Sequence, residues 1–251
     1  MQEQDVVAGL RRVLLTGAAG RIGTAFREEM GARYVFRLAD RTLDGLAEGR
    51  GHETLAFDIA DLAACRRACA GIDTVVHLAA DPSMRADFYE SLLENNFKGT
   101  FNIFRAAADG GCRRVVFASS INAVMGYPAD VQVKPDDPIR PPNVYGVSKC
   151  FGEALGRYFA DQEGLSVICV RIGYYDAGGR RGALDPQSLS RYVSPRDLNQ
   201  LLARCIDAPD VPFAIVHGLS ENRFKYLDLT ATRALLGYAP EDDAFTLFGG
   251  G

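Results

Sequence analysis

The stretch T-G-A-A-G-R-I-G, residues 16–23, is the strongest indication of the fold class in this sequence. A compact apolar run precedes it at 11–17 and predicts a buried strand, and the residues that follow, 21–31, have a helical pattern that ends at glycine. Glycines at 17, 20 and 23 allow a tight turn, close approach of a pyrophosphate and close packing of helix on strand. A plain strand-to-helix turn is the alternative. The place of the loop between the first strand and the first helix favours nucleotide binding.

The rest of the chain alternates between short apolar runs and helical stretches. Further strands are predicted at 34–40, 53–58, 73–80, 113–120 and 165–173, and helices at 61–71, 88–108 and about 145–161. Near-continuous apolar strands that alternate with helices indicate a parallel sheet covered on both faces. The sequence therefore predicts an α/β fold, a Rossmann-type doubly wound parallel sheet.

The character of the chain changes after Gly173. The stretch 174–197 carries glycines, arginines and prolines and predicts irregular structure, followed by one late strand at 212–218 and a short helix near 227–236. We therefore expect a nucleotide-binding core over 1–172 and a small substrate-facing region over 173–251. The late strand and helix should return to the core, so that the chain forms a single compact unit.

Composition narrows the classes of partner. The net charge is −4 without a block of lysine or arginine, which argues against nucleic acid or an anionic membrane surface. No apolar run approaches the ~20 residues of a membrane span, and the N-terminus is too poor in apolar residues for a signal peptide. The chain has six cysteines and three histidines without a ligand cluster, which favours free thiols in the cytoplasm over a metal site.

Asp40 ends the second predicted strand, 23 positions after Gly17. A carboxylate at that place can accept hydrogen bonds from the adenosine ribose hydroxyls, and it would repel a 2′-phosphate. This favours NAD over NADP, although Arg41 and Arg21 are nearby cations that could soften the choice. A solvated aspartate at the end of a strand is the alternative interpretation.

Two further features are candidates for chemistry. The run F-A-S-S-I-N-A-V (117–124) ends a parallel strand in Ser119 and Ser120, at the edge of the sheet where ligands bind, although serines there often only cap the next turn. In P-N-V-Y-G-V-S-K-C (142–150), Tyr145 and Lys149 stand four apart and so share one helix face. A lysine beside a phenol can lower the phenol's pKa and make it an acid–base group, but the spacing alone is common.

Together these features resemble the extended short-chain dehydrogenases/reductases over about residues 11–200. The resemblance rests on the glycine loop, Asp58 after the third strand, H-L-A-A (77–80), N-x-x-G-T (96–100), the strand-end serine and Y-G-V-S-K. It implies a Rossmann sheet that binds NAD(P) and a Ser/Thr–Tyr–Lys site.

The resemblance also implies roles for individual residues. Tyr145 is the expected general acid/base, Lys149 would hold the nicotinamide ribose and depress the pKa of the phenol, and Ser120 would orient the substrate oxygen. Counting back from Gly126 would place Ile121 at the serine's position, and the chemistry favours Ser120. Asn96 is expected to support the site through the backbone or a water. The other expected cofactor contacts are Gly17, Gly20, Arg21, Ile22, Gly23, Asp40, Asp58, Ile59, Leu78, Ala79, Ala80 and Ile172, and the expected substrate contacts are Ser83, Ser120, Asn122, Tyr145, Tyr174 and Gln187.

Within that family, the chain resembles the uronate dehydrogenases in F-A-S-S, V-Y-G-V-S-K-C-F-G-E and V-R-I-G. It also departs from them. Their histidine after the serine–asparagine pair has no counterpart, their serine after V-R-I-G aligns with Tyr174, and their carboxylate-binding arginine aligns near Gln187. Arg180, Arg181 or Arg191 could replace that arginine, or could be solvated loop charges.

We therefore expect an NAD-dependent oxidoreductase that moves a hydride between the nicotinamide and a sugar-like alcohol or hemiacetal, with a hexuronate as one candidate. An epimerase or dehydratase of sugars or nucleotide sugars with tightly bound NAD is the alternative, and a cofactor-sensing protein without turnover is a third. The resemblance also implies a homodimer through the helices at 88–108 and 145–161. Phe97, Phe101, Phe104, Phe151 and Tyr158 could form that face or belong to the core.

Overall fold

The structure is a computed structural model. It describes residues 9–46, 52–176 and 184–248. Two of the arginines considered above, Arg180 and Arg181, lie outside the described residues.

Seven parallel strands form the central sheet, in the order β3-β2-β1-β4-β5-β6-β9. Its strands are β1 (Arg12–Thr16), β2 (Val35–Asp40), β3 (Glu53–Ala56), β4 (Thr74–His77), β5 (Arg114–Ser120), β6 (Ser166–Ile172) and β9 (Phe213–Gly218), and a second sheet pairs β7 (Tyr174–Tyr175) with β8 (Tyr192–Val193). Strand order reverses direction between β1 and β4, which opens a crevice at the carboxyl ends of the strands. The predicted Rossmann-type sheet is confirmed.

Helices cover both faces of the sheet. They are α1 (Arg21–Met30), α2 (Leu62–Cys69), α3 (Gly99–Asp109), α4 (Val144–Glu163), α5 (Pro186–Ser190), α6 (Pro195–Asp207), α7 (Thr230–Leu236) and α8 (Ala244–Leu247). Side chains cap the N-termini of two helices. Asp61 accepts hydrogen bonds from two backbone amides of α2, and Asn143 accepts one from the Gly146 amide of α4. These caps explain why the predicted helices at 61–71 and 145–161 begin close to the expected residues.

The long helix predicted at 88–108 has two parts. Phe88–Lys98 is a π-helix, wider than an α-helix, and it continues directly into α3. The Gly99 amide, for example, donates to the Glu94 carbonyl five residues back. Wide turns of this kind occur often at functional sites, and this one borders the crevice described below.

The region after Gly173 is more regular than predicted. The stretch predicted to be irregular contains β7, α5 and β8, and the helix α6, which no prediction anticipated, follows it. Ser194 caps α6 by accepting from the Asp197 amide, and Pro195 occupies its first position. Helix α6 is amphipathic and packs into the main core through Leu198, Leu201, Leu202, Cys205 and Ile206.

The five aromatic residues considered for a dimer face divide between core and surface. Phe104 is fully buried and packs edge-on against Phe117 and at a tilt against Phe159, so it belongs to the core. Phe101 and Tyr158 are exposed.

Every helix in the described part of the chain is too short or too polar to cross a membrane.

Candidate active site

The loop between β1 and α1 leaves no room for side chains. Gly17 has φ +71, in the left-handed region, and a Cβ atom there would lie 2.8 Å from the Ala79 nitrogen. A Cβ atom on Gly23 would lie 2.3 Å from the Gly17 carbonyl oxygen. Helix α1 has no side-chain cap. Its first amides therefore face the crevice with the positive end of the helix dipole, which suits phosphate oxygens.

Asp40 lies beside this loop at the end of β2. Its two carboxylate oxygens accept hydrogen bonds from the Ala19 amide at 3.0 Å and from the Arg41 amide at 2.8 Å. Each oxygen has a second lone pair, so the fixed carboxylate can also accept from hydroxyl groups. Within the described residues, neither Arg21 nor Arg41 forms an ion pair.

A buried histidine supports the floor of the crevice. His77, at the end of β4, lies 2.8 Å through Nδ1 from the Thr16 hydroxyl, and that hydroxyl also accepts from the Ala79 amide. Burial, with the nearby charge of Lys149, lowers the pKa of His77 to about 3, so the ring is neutral at physiological pH. His77 thus links β4 to the residue before Gly17.

Ser120 is oriented by a chain of amide side chains. Its hydroxyl oxygen accepts from the Asn122 backbone amide at 3.1 Å and from the Asn122 side chain at 3.2 Å. The Asn122 side chain in turn accepts from Asn143, the residue that caps α4. Because a hydroxyl has two acceptor sites and one proton, Ser120 is left to donate its proton into the crevice. The serine both caps a turn and faces the site.

Tyr145 and Lys149 lie together on the first turns of α4. The Lys149 ammonium nitrogen is 5.4 Å from the centre of the Tyr145 ring and 5.2 Å from that of Phe117, and the side chain is buried. Burial lowers the pKa of Lys149 to about 8. Burial raises the pKa of Tyr145, hydrogen bonding with Ser120 opposes that increase, and the charge of Asp81 adds to it.

The raised pKa of Tyr145 corrects one expectation. We expected Lys149 to depress the pKa of the phenol, but among the protein's own groups burial prevails. The physical reason is that both groups are desolvated, which disfavours the charged form of each.

These elements surround one cavity of about 1290 Å³, larger than the roughly 300–1,000 Å³ of most small-ligand sites. Most of the residues predicted for the site line it: Gly17, Gly20, Arg21, Ile22, Gly23, Asp40, Ile59, Leu78, Ala79, Ala80, Ser120, Asn122, Tyr145, Lys149, Ile172 and Tyr174. A cavity of this size can hold a dinucleotide together with a small substrate.

Four predicted residues do not line the cavity. Asp58 caps a turn by accepting from the Ala60 amide, and Ser83 does the same in its own loop for the Arg85 amide. Gln187 is exposed on α5. Asn96 is buried and exchanges two hydrogen bonds with the backbone of Asp81, which does line the cavity.

Asn96 also reaches the candidate catalytic helix. Its amide donates to Ser148 at 3.1 Å, and the Ser148 hydroxyl donates to the Tyr145 carbonyl. The expectation that Asn96 supports the site through the backbone agrees with this geometry.

The structure adds lining residues that were not predicted as contacts. The main ones are Met84, Ser91, Asn95, Met125, Tyr175, Asp176, Ser188 and Arg191. Several follow Gly173, where the short elements β7, α5 and β8 were taken for irregular structure. The pair Asp185 and Pro186, a helix cap followed by proline at the first position, is the signal that would have revealed α5.

The described residues contain no cluster of three or more histidine, cysteine, aspartate or glutamate side chains that could hold a metal ion. All six cysteines are free and buried. The groups suited to a ligand are instead those of a dinucleotide site. They are a glycine loop with no room for a Cβ atom at Gly17 or Gly23, a helix N-terminus without a side-chain cap, and the carboxylate of Asp40 at the end of β2.

Comparison with known proteins agrees with this geometry. The NAD dependent epimerase/dehydratase family matches residues 13–203. The chain is 37% identical to an NAD-dependent glucose-6-phosphate dehydrogenase of Haloferax volcanii, covering 92% of this chain and 94% of that protein. It is 35% identical to a uronate dehydrogenase of Pseudomonas putida, covering 94% and 85%. A variant of uronate dehydrogenase from Agrobacterium tumefaciens, solved in complex with NAD, superposes with a TM-score of 0.86 at 34% identity, covering 95% of this chain and 88% of that one.

We expect the Asp40 carboxylate to favour the binding of NADH over that of NADPH. Asp40→Ser should weaken NADH binding about ten- to a hundredfold, because hydrogen bonds to a charged group contribute about 1.5–3 kcal/mol. It should strengthen NADPH binding, because the charge that repels a 2′-phosphate is gone while Arg21 and Arg41 remain. Fluorescence titration with each cofactor measures both effects.

Asp44→Ser is the matched control, since Asp44 is an exposed aspartate of the same segment that does not line the cavity. It should leave both affinities unchanged. An Asp40→Ser protein that loses NADH and NADPH affinity by the same factor would contradict a selective role for the carboxylate.

Proposed function

The chain belongs to the NAD dependent epimerase/dehydratase family, and we propose that it is a sugar dehydrogenase in which Tyr145 is the general acid/base. The family match confirms the resemblance drawn from the motifs, and the chain is an NAD-dependent sugar oxidoreductase. The single observation that carries the proposed mechanism is the convergence of Ser120, Tyr145 and Lys149 in one cavity with the glycine loop.

The proposed reaction oxidises a sugar hydroxyl, at a hemiacetal carbon or a secondary alcohol. NAD, when bound, supplies the hydride acceptor and a positive charge. Tyr145 as phenolate takes the hydroxyl proton, and Ser120 donates a hydrogen bond to the same oxygen, since its acceptor sites are used by Asn122. Lys149 is placed to hold the nicotinamide ribose and to stabilise the phenolate by its charge.

Epimerisation or dehydration remains the second candidate function, because the same three residues serve a reaction in which the hydride returns to the substrate. The extent of the match favours the dehydrogenase. The two dehydrogenase relatives are covered over 94% and 85% of their length. Net formation of NADH with a sugar distinguishes the two reactions.

Tyr145→Phe should abolish turnover while leaving NADH affinity within about twofold of the parent protein, because it removes only the hydroxyl that accepts the proton. A general acid–base group typically contributes 10²–10⁴-fold to the rate. NADH production at 340 nm and fluorescence titration measure the two quantities.

Tyr158→Phe is the matched control, since Tyr158 lies on the same helix and is exposed. It should keep full activity. Sugar oxidation by Tyr145→Phe at more than a few per cent of the parent rate would refute the assigned role.

We further propose that the sugar is anionic and that Arg191 binds its charged group. The Arg191 guanidinium lines the cavity and lies over the Tyr226 ring at 4.7 Å. Its buried Nε has no hydrogen-bond partner among the described residues. The Arg191 carbonyl accepts from the Tyr174 amide at 2.6 Å, which fixes the backbone at the cavity wall.

A guanidinium at the cavity whose Nε has no hydrogen-bond partner among the described residues suits a carboxylate or a phosphate, since both accept two parallel hydrogen bonds. The named relatives act on a uronate and on glucose 6-phosphate, which carry these two groups. We favour a hexuronate. Arg191 would then take the place that alignment gave to Gln187, which is exposed and outside the cavity.

Arg191→Gln should lower kcat/KM for the anionic substrate about ten- to a hundredfold, because it removes a charge-assisted pair worth about 1.5–3 kcal/mol. The panel contains galacturonate, glucose 6-phosphate and galactose. Activity on galacturonate alone supports the hexuronate, and activity on glucose 6-phosphate supports the phosphate. A neutral sugar should be affected little.

Arg204→Gln, at an exposed arginine of α6, is the control and should be without effect. Equal losses with galacturonate and galactose in Arg191→Gln would exclude recognition of charge by this residue.

We also propose a cytoplasmic homodimer formed through α4 and the helix pair Phe88–Lys98 and α3. Free buried thiols throughout the chain support a reducing compartment. Exposed apolar side chains on these helices support the interface: Tyr89, which is 79% exposed, with Phe101, Val147 and Tyr158.

Light scattering should therefore give twice the 27.2 kDa mass of one chain. A Phe101→Glu, Tyr158→Glu double variant should give one chain, because the new charges would be buried unpaired at the interface. Phe224→Glu, at an exposed aromatic residue away from these helices, should keep the mass of the parent protein. A parent protein with the mass of a single chain would rule out the dimer.

A further inference from the structure

A buried ion pair lies directly behind the candidate catalytic residues. Arg171 on β6 and Glu153 on α4 are 1% and 4% exposed. Arg171 donates to both Glu153 oxygens, from Nε at 2.8 Å and from Nη2 at 2.9 Å. The Ser119 hydroxyl donates to the first of these oxygens at 2.6 Å. The three side chains therefore join α4, β5 and β6 in one network.

The register of this network matches that of the site. Ser119 pairs with Arg171 across β5 and β6, and the next pair along, Ser120 with Ile172, lines the cavity. On α4, Glu153 lies four residues after Lys149, and so on the same helix face one turn away. Ser119 itself also lines the cavity, and Glu153 and Arg171 each lie beside a residue that lines it.

Helix α4 benefits from such a fixed point because two of its sheet-facing positions, Gly152 and Gly156, are glycines. A Cβ atom on Gly152 would lie 2.2 Å from the Phe117 ring, and one on Gly156 would lie 2.8 Å from a Val167 methyl group. The glycines allow close approach, but they offer no side chains that interlock with the strands and prevent the helix from sliding. A directional polar contact can supply what the glycines lack.

We propose that Ser119, Glu153 and Arg171 are positioning residues that hold α4 in register with β5, and thereby set the Tyr145 phenol against the Ser120 hydroxyl. The inference rests on the proposed function, in which Tyr145 is the base. A buried ion pair is by itself weak evidence for stability, and this one carries a third hydrogen bond from the strand residue that precedes Ser120.

Strands β5 and β6 contain a second serine–arginine pair, which serves as a control. At the opposite end of the sheet, buried Arg114 on β5 donates to the Ser166 hydroxyl on β6 at 2.8 Å, and the two residues are register partners. The Ser166 hydroxyl donates to the Val211 carbonyl at 2.6 Å. Ser119→Ala and Ser166→Ala thus each remove one hydroxyl from a serine–arginine pair of β5 and β6, and Ser166 does not line the cavity.

The test compares these two variants in the full-length protein. Both should lose a similar, small amount of thermal stability, and both should bind NADH as the parent protein does. Ser119→Ala alone should lower kcat, by roughly ten- to a hundredfold, because small displacements of reacting groups cost that much. KM for the sugar should change little. Ser119→Thr, which keeps the hydroxyl, should restore the rate.

A second measurement needs no substrate. The ionisation of Tyr145 can be followed as the difference in tyrosinate absorbance between each protein and its Tyr145→Phe counterpart. Loss of the Ser120 contact should move this ionisation to higher pH in Ser119→Ala and not in Ser166→Ala. Lys149 and Asp81, the other charged groups that act on the phenol, are the same in both variants.

An unchanged kcat and an unchanged Tyr145 titration in Ser119→Ala would overturn the inference, as would equal losses of kcat in both serine variants. If Tyr145→Phe retains turnover, the proposed function fails. The absorbance titration still decides whether the network positions the phenol.

Discussion

Between β1 and β4 the backbone passes so close that a Cβ atom on Gly17 would lie 2.8 Å from the Ala79 nitrogen. The same restriction recurs where α1 begins, since a Cβ atom on Gly23 would lie 2.3 Å from the Gly17 carbonyl oxygen. These two approaches place the uncapped end of α1 over the carboxyl ends of the strands. The strand-end groups Asp40, Ser120 and Ile172 then face the same space as the free amides. A larger residue at either glycine would force these segments apart.

Burial of Tyr145 and Lys149 has a cost that the rest of the site offsets in part. Desolvation lowers the pKa of Lys149 to about 8 and raises that of Tyr145, so it favours the uncharged form of both. Two features of the chain oppose this effect, one at the phenol and one at the lysine. Ser120 has its acceptor sites occupied by Asn122 and can only donate, and Lys149 lies near the faces of two aromatic rings, where a cation is stabilised. The Ser120 contact therefore reduces the increase in the pKa of the phenol without reversing it, and a small displacement of α4 would weaken that contact.

The sequence predicted those parts of the molecule that depend on local pattern. Strand β1, the glycine loop and Asp40 follow one another within a single βα unit, and the spacing of Tyr145 and Lys149 is local to one helix. The pattern did not reveal what depends on three-dimensional packing. Asp58 was placed at the cofactor, but its side chain caps its own turn, and the neighbouring Ile59 lines the cavity. The direction of the pKa shift at Tyr145 depends on burial, which the spacing of two residues does not contain.

The cavity wall that follows Gly173 was the hardest part to predict, for a related reason. It is built from β7, α5 and β8, of two, five and two residues, which are too short for periodicity to show. Their positions come from backbone pairing with one another: the Tyr174 amide donates to the Arg191 carbonyl, and Tyr174 and Tyr175 pair with Tyr192 and Val193. One helical turn of α5 separates Gln187, which is exposed, from Arg191, which lines the cavity. An alignment by position cannot resolve such a difference. The arginine at 191 therefore lies at a cavity that position 187 does not line, and the short elements around it set where that charge lies.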